Sequence, residues 1–166
     1  MALVGRTSAH RRGECGWAYL WTLLFALSLS VAATSAARTY ASALKHYKEQ
    51  ELRSIGRQFR AALASYERHG PSGQPPMQPA RLEELLEDRR AGGEPRRHLR
   101  KVFVDPFTGQ AQWALVRRNG RIIGVHSLSQ QTPAMRHGFE PDEGGFERAM
   151  TYQDWIFANE PPPRRQ

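Results

Sequence analysis

The sequence predicts an α+β chain: a long N-terminal helix, apolar in its first half and amphipathic in its second, packed on a small antiparallel sheet. Three observations predict it. From Trp17 to Ala37, WAYLWTLLFALSLSVAATSAA runs without a charge, Pro or Gly. An apolar stripe at helical spacing continues from Leu44 to Tyr66. Beyond residue 100, short apolar runs are separated by Asp105-Pro106 and Asn119-Gly120, both turn chemistry.

The apolar run is the first element. At ~1.5 Å rise per residue a helix of this length covers roughly 30 Å, about the hydrocarbon thickness of a bilayer. Lipid offers the backbone no hydrogen-bond partner, so the run satisfies itself as a helix. Trp17, Leu20, Leu23, Leu24, Phe25, Leu27, Leu29 and Val31 carry its membrane-spanning surface. Arg6, Arg11 and Arg12 precede it against a single acid, Glu14. The positive-inside rule then puts the N-terminus in the cytoplasm and residues from Arg38 onward outside. The competing reading is a cleaved secretory signal ending at Ser35-Ala36-Ala37. Its apolar part is long for that role, since signal cores run ~7–15 residues. A buried soluble helix is the third reading. The first two export the rest of the chain.

Residues 1–16 read as a basic leader, 17–37 as the transmembrane part of the helix and 38–69 as its amphipathic part. Leu44, Tyr47, Leu52, Ile55, Phe59, Leu63 and Tyr66 form the stripe. Lys45, Lys48, Glu49, Gln50, Glu51, Arg53, Arg57, Arg60 and Glu67 occupy the other faces. Gly56 costs about 1 kcal/mol relative to Ala, too little to break the helix. The simplest structure is one helix from Trp17 to His69, roughly 80 Å long.

Gly70 to Pro79 is a helix stop and loop. Residues 70–158 form the α+β domain. A short helix starts at Pro79 or Ala80, with Leu82, Leu85 and Leu86 on one face, and ends near Arg90. Strands are expected at Val102–Val104, Gln112–Arg118 and Arg121–Ser127, the last two joined by an Asn119-Gly120 hairpin. Gln130 to Gly145 reads as loop, Phe146 to Met150 as a helical turn, and Tyr152 to Phe157 as an edge strand. Trp113, Trp155, Phe103, Phe107, Phe139 and Phe146 form the expected aromatic core. Residues 159–166 read as a disordered tail.

The formal net charge is +8. Such a balance suits nucleic acid, anionic lipid or an acidic protein face; a solvated Arg-rich surface explains it as well. Arg89, Arg90, Arg96, Arg97, Arg100 and Lys101 form the densest basic patch, a candidate contact for neighbouring subunits or a polyanion. With Trp113, Arg117, Arg118 and Arg121 nearby, single-stranded nucleic acid is a lesser alternative. Cys15 is the single cysteine, so no intramolecular disulfide and no cysteine metal site forms. The six histidines make no HxH or HExxH pair. Asp105, His126 and Ser127 nominally compose a hydrolase set, but no GxSxG elbow surrounds the serine. The residues make no case for an enzyme, a metal or a cofactor.

Several segments together resemble type II secretion pseudopilins and type IV pilins. Gly16 followed by Trp17-Ala18-Tyr19-Leu20, with Arg11-Arg12 upstream, resembles a prepilin peptidase site. VFVDPFTGQAQWAL (102–115) is similar to the DPWG-then-aromatic strand of major pseudopilins, and RIIGVHSLS (121–129) to the strand that follows it. IGRQFRAALASYE, LEELLEDRR, RRHLRKVFVDPFTG and YQDWIF extend the likeness over residues ~11–158 as an ordered pattern. The resemblance implies a pilin-like fold and cleavage between Gly16 and Trp17. It implies a single-pass protein of the bacterial inner membrane with a periplasmic domain. Its partners would be other pilin-like subunits and an inner-membrane secretion platform, and its role a structural subunit of a filament supporting protein secretion. Two departures stand out. Trp21 occupies the slot where pilins carry a Glu that neutralises a neighbour's N-terminal ammonium. Ser127 to Thr132 lacks the carboxylates that bind calcium in major pseudopilins. A membrane-anchored periplasmic domain without a filament, and a DNA-binding minor pilin, are the alternatives.

Overall fold

The computed structural model describes residues 14–159 apart from Gly93; the side chains of residues 14–16 and 34–38 fall outside the description. The leader before residue 14 and the tail from residue 160 therefore lie outside the described residues, and Gly16 of the expected cleavage site is described only as helix backbone. One helix, α1, spans Glu14–Arg68. The chain divides into two compact units between Ala43 and Leu44.

In the first unit, large apolar side chains stand exposed on every side of the helix. Trp17 is 67% exposed, Phe25 70% and Leu27 62%, and Leu20, Trp21, Leu23, Leu24, Leu29 and Val31 are exposed as well. Among the described residues, three polar side chains in the run bond back to the helix. Thr22 Oγ1 donates to the Tyr19 carbonyl at 2.9 Å, Ser28 Oγ to Phe25 at 2.8 Å and Ser30 Oγ to Ala26 at 2.8 Å. Among the described residues, no helix is long and apolar enough to cross a membrane.

The second unit is α+β. Strands β1 (Ala114–Arg118), β2 (Arg121–His126) and β3 (Phe157–Ala158) form an antiparallel sheet in that order. Asn119 and Gly120 both take positive φ, 52° and 77°, as the expected two-residue hairpin requires. The register between β1 and β2 slips between Val116 and Arg117, a bulge near the hairpin end of β1. Leu52, Ile55, Phe59, Ala62, Leu63 and Tyr66 of α1 are buried against Trp113, Ile122, Val125, Phe146, Trp155 and Phe157. Phe103, Phe107 and Phe139 pack on that core half-buried, so the expected aromatic set is the observed one.

Four expectations need correction. Leu44 and Tyr47 are exposed, and the core stripe begins at Leu52, because the loop that covers α1 reaches it first at Glu49, which is fully buried. Val102–Val104 is no strand: the Phe103 carbonyl takes the Trp113 indole N–H at 2.8 Å instead of a ladder bond. The short helix is only a 3-10 turn, Leu82–Leu85. Asp88 leaves helical geometry to exchange two backbone bonds with Arg96, at 2.8 and 2.9 Å. Tyr152–Asp154 is a 3-10 turn too, curled by a Thr151–Asp154 capping box, and the strand starts only at Phe157. The turn expected after Phe146 is present as Phe146–Arg148. Asn159 belongs to the domain rather than the tail, donating its N–H to the Ile123 carbonyl at 3.2 Å.

Candidate functional site

The residues of the basic patch differ in exposure and pairing. Arg90 is an internal strut. Its guanidinium donates to both Asp88 oxygens at 2.9 and 2.8 Å and to the Tyr66 carbonyl at 2.7 Å, and lies 3.4 Å over the Tyr66 ring. Arg89 pairs with Glu87. Lys101 sits over the Phe103 ring at 5.6 Å. Arg96, Arg97 and Arg100 are exposed. The exposed part of the patch is therefore these three guanidiniums with Lys101 and Arg89 at its margins.

Beneath the patch is a polar cluster that sequence spacing did not reveal. His98 has no exposed side-chain surface. Its Nδ1 lies 2.8 Å from Ser65 Oγ on α1, and its Nε2 3.2 Å from Asp88 Oδ2. Tyr66 donates its hydroxyl to Glu84 at 2.6 Å. Arg90 holds the Asp88 carboxyl down to about 2, well below its ordinary 3.8. Burial pushes the His98 imidazole below 6.5, against the pull of Asp88. Burial, then the Glu84 bond, pushes the Tyr66 phenol up. The Ser65–His98–Asp88 order is that of a hydrolytic triad. Yet the imidazole is sealed between the Tyr66 and His69 rings, at 5.5 and 6.0 Å, so a substrate carbonyl has no approach to it.

The nominal set of Asp105, His126 and Ser127 is brought together, but in the wrong order for catalysis. Ser127 Oγ donates directly to Asp105 Oδ2 at 2.6 Å and accepts the Ser129 N–H at 3.0 Å. The His126 ring bonds the Ser127 carbonyl through Nδ1 at 3.0 Å, not the hydroxyl. With Asp105 and Ser127 both fully buried, the group ties the Asp105-Pro106 turn to the end of β2. Asp105 Oδ1 also accepts the Phe107 N–H at 2.8 Å. Trp113 is in the core with its N–H committed, so it offers no face on which a base could stack.

The largest charged constellation was also missed. Glu49, Arg53, Arg57 and Arg60 recur along one face of α1, and Glu140, Asp142 and Glu143 fall in one loop. Glu49 accepts the backbone N–H groups of Ala134 and Met135 at 2.6 and 3.1 Å and the Tyr152 hydroxyl at 2.9 Å. Arg53 clasps Glu143, Arg57 stands 3.6 Å from Glu140, and Arg60 pairs with Asp142. Helical spacing of the bases against a cluster of acids was the available signal. Loop 130–145 is thereby strapped onto the helix.

A shallow cleft of about 190 Å³, lined by Glu67, Met77, Gln78, Arg118, Asn119 and Asn159, is below the usual size of a small-molecule pocket. Comparison with protein-family models, with curated proteins and with solved structures finds no match. The class defined by the geometry is a small α+β domain built on an amphipathic helix segment, in a chain whose forward helical segment exposes apolar side chains all round.

Proposed function

We propose that the chain is a membrane-anchored structural subunit of a pseudopilus or type IV pilus-like filament that supports protein secretion across the bacterial envelope. The observation that carries the reading is the exposed apolar surface around Trp17 to Leu29. So much apolar area in water is unfavourable at about 25 cal/mol per Å², and lipid or neighbouring helices would remove that cost. Hydroxyls bonded within the helix are what such surroundings demand. The described side chains of the run end at Ala33, and the sequence carries the run on to Ala37. A pilin-like fold, with the sheet resting on the rear of the helix, accords with the core formed by Leu52 to Tyr66. The role is mechanical: apolar helices bundle, sheet domains face outward, and Arg96, Arg97 and Arg100 meet adjacent subunits.

The test is biochemical. The protein should fractionate with membranes, resist extraction by salt and alkali, and start at Trp17 by mass spectrometry. Leu27→Arg places a charge mid-run, at roughly 2.5–3.5 kcal/mol for insertion, and should move the protein out of the membrane fraction. A mature N-terminus at Arg38 would end the proposal. Trp21, exposed where the family carries Glu, favours a second reading: an anchored periplasmic domain without a filament. Crosslinking to pilin-like chains separates the two.

A further inference from the structure

We propose that His98 is an acid-sensitive latch that fastens the segment carrying Arg96, Arg97 and Arg100 onto α1. The inference stands on the geometry beneath the basic patch and is independent of the filament reading. His98 and Leu99 point inward while Arg96, Arg97 and Arg100 point out. Leu99 is buried, and the N–H groups of His98 and Leu99 both reach the Leu85 carbonyl at 2.9 Å. The imidazole is the side-chain bridge: Ser65 of α1 on one nitrogen, Asp88 on the other. In its neutral form Nε2–H donates to Asp88 and Nδ1 accepts the Ser65 hydroxyl, so both nitrogens are satisfied.

Protonation changes this arrangement. The charged ring must be held without water, and its surroundings do not welcome a second cation. From α1 it meets Tyr66 and His69. From the Leu82–Leu85 turn comes Glu84, already engaged by Tyr66. From the segment itself come Asp88, whose charge Arg90 has taken up with two bonds, and Arg90. Burial is the largest influence on His98 and disfavours its charged form; the bond and charge of Asp88 oppose it, and His69 and Arg90 side with burial. The sign follows. Above about pH 6.5 the ring is neutral in the folded and unfolded chains, and the latch holds fully. As pH falls through that value the unfolded or undocked chain takes the proton first. The docked segment is progressively disfavoured until the pH passes below the folded-state value. The outcome is local: the strand-like pairing of Asp88 with Arg96 loosens, and the three guanidiniums lose their fixed presentation.

The test uses the full chain in detergent. Backbone amide exchange at Asp88, Arg96, His98 and Leu99, corrected for intrinsic pH dependence, should lose protection between pH 7 and pH 5. Loop 130–145 should keep its protection over the same range. His98→Gln keeps a donor and an acceptor at the bridge but cannot charge, so its protection should be flat over that range. NMR titration of the wild-type His98 ring gives a reading that needs no variant, and should lie below 6.5. A ring titrating at or above 6.5 would overturn the latch. So would unchanged protection at pH 5, or an equal loss in the glutamine variant.

Discussion

Gly56 on α1 and Phe157 on β3 touch with no space between them. A Cβ placed on Gly56 would fall 2.1 Å from Phe157 Cδ1 and 2.3 Å from Cε1. The Phe157 ring thus lies flat on the helix backbone, fully buried, and sets how closely the sheet approaches α1. A residue that weakens a helix stands in its middle because only hydrogen fits there.

Gly56→Ala separates two effects of opposite sign. Helix propensity alone would stabilise by about 1 kcal/mol. Overpacking of a closed core costs about 1–3 kcal/mol, and this overlap belongs at or beyond the upper end. Net destabilisation of about 2 kcal/mol is expected from denaturant melts. A gain in stability would show that the ring moves aside freely.

Arg53 and Glu143 make the buried member of the strap, with the carboxylate wholly removed from water. Arg53→Ala leaves that charge with Arg57, 3.7 Å away and more exposed, and the Glu140 N–H at 3.0 Å. Breaking such a pair costs about 3–5 kcal/mol when no substitute exists, so about 3 kcal/mol is expected here. Adding Glu143→Gln should recover part of the loss, and a double-mutant cycle measures the coupling. A double-variant loss equal to the sum of the two single losses would show that the pair is not coupled.

Asp88 gives the domain a second acid response, lower on the pH scale than that of His98. Its carboxyl is held down to about 2 from 3.8, chiefly by Arg90. Above about pH 4 it is ionised in both folded and unfolded chains and contributes fully. Below that the unfolded chain binds the proton first, and about 2 kcal/mol is lost by pH 2. Chemical denaturation of wild type and Asp88→Asn across pH 5 to 2 should show the slope in wild type and a flatter line in the variant.

Much of the second unit was legible because its signals are local. The Asn119-Gly120 turn needs only positive φ at two residues, and both are there. The stripe from Leu52 to Tyr66 follows from helical spacing alone. What misled were apolar runs whose backbone groups bond elsewhere. Val102–Val104 reads as a strand until the Trp113 indole claims the Phe103 carbonyl. LEELLEDRR reads as a helix until Arg96, eight positions beyond Asp88, pairs with it. The basic patch counted six positive charges between residues 89 and 101; Arg90 turns from that surface toward Tyr66 and Asp88.

By itself the sequence determined the period of each element: an uninterrupted apolar run, a striped helix behind it and a hairpin. These depend on side-chain spacing and turn chemistry within a few residues. Only the tertiary structure decided which polar groups are structural. Glu49, Arg53, Asp88, His98 and Ser127 look like ordinary surface residues one at a time. Each has a partner 10 to 103 positions away along the chain. Burial turns each of them from a solvated group into one that must be matched, and no local pattern records that match.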